Sequence, residues 1–203
     1  NGAVNAERVV LACNGYLENL EPKLTSKILP MNNYIVATKP LADDMVEKIN
    51  PEDIAFADSR FVVNYFRLSA DKRLLFGGGE NYSQNLSSNI VSIVTKPMEK
   101  IYPFLKGIQI DYAWGGKLAI TLNRLPFFKT LHSGKVLSAQ GYSGQGVALA
   151  SFAGKIIADK ICDVGDMFDT MANIPTPSFP GGRLLRSSSM KIGMAYYALL
   201  DRI

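Results

Sequence analysis

Between Lys135 and Ile161 the sequence KVLSAQGYSGQGVALASFAGKIIADKI sets a short apolar run, three close glycines and a helical pattern in direct succession. Val136 to Ala139 has the length of a buried strand. Gly141, Gly144 and Gly146 then give a turn. Beyond it Leu149, Ala150, Ala153, Ile157 and Ile161 recur at three- and four-residue steps, which predicts a helix with one apolar face. A glycine turn at a helix start leaves the first amides unpaired and free of side chains, so an electron-rich ligand can rest on them. Gly154 predicts a close approach of the helix to a neighbouring strand. The spacing G-x-x-G-x-G differs from the dinucleotide fingerprint G-x-G-x-x-G, and such turns also occur without any ligand. Both readings stay open on the residues alone.

The chain of 203 residues, 47% hydrophobic and 20% charged, is long enough for one sizeable core or two modest ones. Its net charge of +4 is scattered without a basic stripe, which argues against a nucleic-acid partner. No apolar run approaches the roughly 20 residues of a membrane span. Two distant cysteines, Cys13 and Cys162, fit a reducing compartment, and a cytoplasmic location is expected. The single histidine, His132, has no Cys/His cluster around it, so no metal site is expected.

Val9 to Ala12 reads as a strand of a parallel sheet buried on both faces, closed by Asn14-Gly15. A parallel strand needs a crossover partner. This one comes so early that the chain is expected to be a piece of a longer protein. Leu17 to Leu29 is loosely helical, ended by Pro30. Asn33 to Thr38 predicts a strand, Pro40 to Ile49 a short helix, and Phe61 to Leu68 a strand by alternation. A turn at Ser69 to Lys72 leads into a returning arm that ends at Gly77-Gly78-Gly79. Ile90, Val94, Met98, Ile101 and Leu105 mark an amphipathic helix that Pro97 should kink or break. Ile108 to Trp114 predicts another strand. Gly165 to Gly182 reads as an extended surface segment, and Ser187 to Leu199 as a last helix.

The residues show no G-x-S-x-G elbow, no H-E-x-x-H and no P-loop, so a hydrolytic site is not indicated. His132 reads as a solvated turn residue. Gly77 to Glu80 reads as a hairpin exit, with a phosphate nest as the alternative. Tyr65 and Arg67 share one strand face; Arg67 is suited to a substrate carboxylate or to pairing with Asp58 or Asp71.

Strand, Gly141 to Val147 and a helix containing Gly154 together resemble the flavin-binding segment of the D-amino-acid-oxidase-like FAD oxidoreductases. VVLACNGY near the start, Tyr65 to Gly79, Asp111 to Gly116 and Thr121 to Pro126 resemble that family in the same order. The resemblance implies an α/β mix: part of a glutathione-reductase-like Rossmann FAD domain, plus a mainly antiparallel substrate domain with one covering helix. Its implied divisions are residues 1–30 (end of the FAD domain), 31–112 (substrate domain), 113–164 (return to the FAD domain) and 165–203 (extension). FAD would be held non-covalently, by Ala12, Gly15, Gly141, Tyr142, Ser143, Gly144, Gln145, Gly146 and Val147. An amino-terminal half bearing the pyrophosphate turn would be needed as well. Tyr65, Arg67, Trp114 and Asn123 would face a small amine or amino-acid substrate, oxidised at its C–N bond; oxygen is the expected acceptor, and oxidase and dehydrogenase both stay open. Gln145 stands where relatives often carry His, and Asn123 where many carry Asp. No catalytic residue and no oligomeric state are assigned. A stand-alone ligand-binding or interaction module is the alternative.

Overall fold

The structure, a computed structural model, describes residues 2–60, 62–81 and 86–180. It separates into two compact units, one holding the described residues up to Met31 and from Lys117 onward, the other those between Asn32 and Gly116.

In the first unit a three-stranded sheet runs in the order β1 (Val9–Leu11), β8 (Val136–Gln140), β7 (Phe127–Leu131). β1 pairs parallel to β8, from Val9 opposite Val136 to Leu11 opposite Ser138, and β7 pairs antiparallel to β8. Strand alternation sorts two cores onto the two faces. Leu137, Ala139 and Phe128 pack against Ala153, Ile156 and Ile157 of α4 (Gly146–Ile161) and Phe168 of α5 (Met167–Ala172). On the other face Phe127 packs with Leu17, Leu24, Ile28 and Ala119. The outer strand departs from its expected burial, because Val9 and Val10 are 47% and 42% exposed. Successive strand residues point to opposite faces, so β1 is uncovered on both. Gly154 likewise departs from expectation: a Cβ there would meet nothing within 4 Å.

Leu17 to Leu29 forms one helical turn, α1 (Pro22–Thr25), instead of a full helix. Glu18 has a left-handed φ of 47°, and the Thr25 hydroxyl donates to the carbonyls of Glu18 and Glu21, which folds the segment into a tight loop. Pro30 does not end a helix; it is the second residue of β2 (Leu29–Thr38), where a missing donor is tolerated. The segment read as extended beyond Gly165 contains α5. Its Phe168 is buried edge-on against Phe128, with ring centroids 5.6 Å apart. Six residues are too few for periodicity to show. The last predicted helix lies outside the described residues.

In the second unit a five-stranded sheet runs β3 (Phe56–Ala57), β4 (Tyr65–Leu68), β5 (Leu74–Asn81), β2, β6 (Ile110–Ile120). β2, β4 and β5 pair antiparallel, and so do β3 and β4. One face carries Tyr34, Val36, Leu68, Leu74 and Phe76 against Val94 and Met98 of α3 (Ile90–Ile101). α2 (Asp43–Ile49) packs its buried Ile49 at the same core. α3 runs unbroken through Pro97, since Val94 and Met98, both fully buried, hold the turns on either side of it. β4 is half the length expected. The Asp58 carboxylate accepts from the Arg60 and Asn64 backbone amides, a side-chain-made turn that interrupts the alternating run. The three glycines lie inside β5 and not in an exit loop. Gly77 makes room for Tyr65, whose ring carbon would sit 2.1 Å from a Cβ there.

One buried carboxylate gives the first unit a pH dependence. His132 takes a left-handed turn conformation and its Nε2 lies 2.8 Å from Oε2 of the buried Glu21; the other carboxylate oxygen accepts from the Lys23 amide. The bond with His132, then that from Lys23, holds the Glu21 carboxyl below its ordinary value. A lowered carboxyl pKa contributes stability above the unfolded value, about 4.3, and loses it as pH falls through the folded one. Urea midpoints should therefore drop more steeply below about pH 4.3 in wild type than in Glu21→Gln. Identical acid limbs in the two proteins would discard this assignment.

Candidate functional site

The parallel strands β1 and β8 both end at one place, and most of the residues assigned to cofactor binding gather there. Ala12 follows β1 and is exposed. Gly141 follows β8 with φ of 77°, Ser143 has φ of 52° and Gly144 has φ of 98°, so the chain reverses through three left-handed residues before α4 begins. The first helical bond runs from the Leu149 amide to the Gln145 carbonyl. The amides of Gly146, Val147 and Ala148 are thus left over, and Gln145 at the cap position makes no side-chain capping bond. Val147 is 99% exposed. Partial positive charge therefore gathers at a helix end that no side chain of the described residues is seen to cap.

The turn is fastened from two directions. The Asn14 Oδ1 accepts the Gly141 amide at 3.2 Å, and the Ala119 carbonyl accepts the Ser143 amide at 2.9 Å. The Ser143 hydroxyl accepts from the Thr121 amide at 3.3 Å and donates to the Gly141 carbonyl. Asn14 and Thr121 were not assigned as site residues, although Asn14-Gly15 after a strand and the segment Thr121 to Pro126 had marked their places.

The glycines divide by cause. Gly15 is buried, and a Cβ there would lie 2.5 Å from the Lys117 carbonyl oxygen, so backbone packing accounts for it. Gly141 faces Thr121, with 2.4 Å to its Cγ2. Around Gly144 there is nothing within 4 Å, and at Gly146 the nearest atom is a Tyr142 ring carbon at 3.6 Å, an ordinary contact. Packing within the described chain does not explain Gly146. Gln140, the last residue of β8, is fully buried; its Nε2 donates to the Ser138 hydroxyl while its Oε1 has no hydrogen-bond partner. Leaving a buried acceptor unmet costs about 1–3 kcal/mol. A bare glycine at an uncapped helix end fits a flat, electron-rich edge such as the pyrimidine of a flavin.

Tyr142 turns away from this surface. Its ring belongs to the core under α4 and its hydroxyl donates to the Ala139 carbonyl at 3.0 Å, while burial pushes the phenol up, keeping it neutral. Beside it lies an apolar cavity of about 340 Å³ lined by Phe128, Leu149, Phe152, Ile156 and Met171, whose lining side chains include no acid or base other than Arg124 and Tyr142.

The residues assigned to substrate come from three separate segments of the chain. Tyr65 and Arg67 lie on β4 and Trp114 on β6, three strand spacings away, roughly 14 Å. Tyr65 lies over Gly77 and donates to Asn33 Oδ1 on the sheet face opposite α3. Arg67 is exposed and pairs with neither Asp58 nor Asp71; its Nε donates to the Leu68 carbonyl. Arg73 takes Asp71 and Asp111 instead, stacks over Tyr112, and holds the Asp111 carboxyl below its ordinary value. Asn123 serves its own loop, donating to the Pro175 carbonyl and accepting the Leu125 amide.

Known proteins resemble this chain in sequence and in fold. The chain is 37% identical over 203 residues to gamma-glutamylputrescine oxidoreductase of Escherichia coli, and 40% identical over 202 residues to a probable oxidoreductase OrdL of Rhizobium meliloti. Each comparison takes in 100% of this chain but only 47% and 46% of the relative, so the chain spans about half the length of the curated relatives it matches. Glycine oxidase from Geobacillus kaustophilus shares the fold with a TM-score of 0.62 at 18% identity, over 80% of this chain and 43% of that one. L-proline dehydrogenase from P. horikoshii does so with a TM-score of 0.59 at 21% identity, over 83% and 44%. Residues 1–160 match the model of the FAD dependent oxidoreductase family, DAO, and the chain belongs to that family.

Proposed function

We propose that the chain forms the carboxyl-terminal part of an FAD-dependent oxidoreductase that oxidises a C–N bond of an amine or amino acid, with gamma-glutamylputrescine the first substrate to try. The observation that carries this reading is the uncapped amino end of α4, set where two parallel strands end, the position at which open α/β sheets take ligands. When bound, the flavin supplies the acceptor for a hydride leaving the carbon that bears nitrogen, and water hydrolyses the resulting imine. The chain's own part is electrostatic. The amides of Gly146, Val147 and Ala148 would donate to the ring edge that gains negative charge on reduction, so they favour the reduced state. Asn14 and Ser143 would keep that helix end in place.

A further polypeptide half supplies the pyrophosphate turn in this reading. The open outer edge of β1, with Val9 and Val10 exposed on its two faces, supports it, as does the half-length match to the relatives. The two free cysteines support a reducing, cytoplasmic setting.

The test compares this chain with the full-length protein. Purified alone, the 203-residue chain should be colourless, while the full-length protein should be yellow and bleach anaerobically with gamma-glutamylputrescine. Acid should release the flavin without an adduct on Cys162, which closes the far end of a 16-residue helix, roughly 24 Å from its amino end. A full-length protein without flavin, or one that no amine bleaches, would defeat the reading.

A further inference from the structure

We infer that Asn14 is a positioning residue: its side chain continues the pairing of β1 and β8 past the end of the ladder and thereby aims the first amides of α4 at the flavin. This rests on the flavin reading given above. Ladder pairing between the strands stops at Leu11 opposite Ser138, yet the turn that matters starts three residues later, at Gly141. Without a further link the two chain ends would part there. Asn14 supplies the link, with Oδ1 accepting the Gly141 amide. Its backbone has φ of 46°, a conformation that glycine would take more easily. Asparagine tolerates it and adds an acceptor that glycine lacks.

The other fastening of the turn, Ser143 to Ala119 and Thr121, comes from β6. One anchor fixes a point and two fix a direction. The body of α4 is held on the sheet by Ala153, Ile156 and Ile157, while Gly144 and Gly146 bring no side chain to the turn before it, so slack introduced at Gly141 is confined to that turn and the first turn of the helix. Loss of the Asn14 bond should therefore appear at the helix end more than in the core.

Asn14→Gly separates these effects, since it keeps the left-handed backbone and removes only the acceptor. In the full-length flavoprotein, thermal stability should stay near wild type and the Gly141 amide should exchange faster with deuterium. Reduced flavin should bind about three- to tenfold more weakly relative to oxidised flavin, the scale of one hydrogen bond. For a two-electron couple that ratio is a fall in midpoint potential of about 15–30 mV. Unchanged potential and affinities would overturn the inference. A fall in stability with equal loss in both redox states would also overturn it, since Asn14 would then serve folding alone. A wild-type protein that binds no flavin would remove the functional reading itself, an outcome distinct from either.

Discussion

Gly146→Val in the full-length protein should leave the fold standing and strip most of its grip on flavin. Gly146 has an ordinary backbone conformation, and a Cβ would come no nearer than 3.6 Å to Tyr142, so a side chain costs the chain little by itself. The same side chain would stand on the helix end and push a ring edge off the amides. Losing one charge-assisted hydrogen bond there is worth about 1.5–3 kcal/mol, roughly ten- to a hundredfold in affinity. The loss should be greater for reduced than for oxidised flavin, because the negative charge that strengthens the bond is present only after reduction. Gly144→Val makes the contrast. At φ of 98° any L side chain is strained, so that variant should lose stability together with affinity. Dissociation constants in both redox states, measured beside thermal midpoints, decide the matter. If Gly146→Val keeps wild-type affinity in both states, the helix end does not face the cofactor.

Much of this site was legible because its signals are local. Glycine spacing, a short apolar run before it and apolar three-four steps after it all lie within one stretch, and the strand, turn and helix sit where that pattern puts them. The antiparallel sheet under one helix was legible for the same reason, through Val94 and Met98 on a single stripe. What escaped depends on pairs far apart in sequence. Nothing near Asn14 announces that its side chain reaches Gly141, and nothing near Asp58 announces that it will fold Arg60 and Asn64 around itself. Arg67 and Arg73 show the same limit. Arg67 was the one read as able to find a carboxylate, and the fold instead brings Asp71 and Asp111, 38 residues on, to Arg73. Burial failed as a prediction where Val9 and Val10 read as fully enclosed, since the enclosing strand and helices are not supplied by the described residues.

Gly15→Ala should behave in the opposite way to Gly146→Val, although the family resemblance places both beside the cofactor. At Gly15 the obstruction is protein backbone: an added Cβ would meet the Lys117 carbonyl oxygen at 2.5 Å, its carbon at 2.8 Å and the Leu118 carbonyl oxygen at 2.9 Å. No rotamer relieves such a contact. Nor can β6 easily withdraw, because the Lys117 amide donates to the Tyr16 hydroxyl at 3.0 Å and the Lys117 ammonium lies over the Tyr16 ring. Ala119, two residues on, is buried in the core with Leu17 and Leu24. The variant must pull the Asn14–Tyr16 turn off the strand or bend the strand itself, and overpacking of this kind costs about 3 kcal/mol at the upper end of its usual range. In the 203-residue chain that is a drop of roughly 6–12 °C in thermal midpoint, and a smaller one in the longer full-length protein, where flavin is measured. Flavin affinity of the molecules that remain folded should stay within about threefold of wild type, less than one hydrogen bond. A variant that melts like wild type but releases its flavin would reverse the assignment, making Gly15 a cofactor contact and its burial under Lys117 incidental.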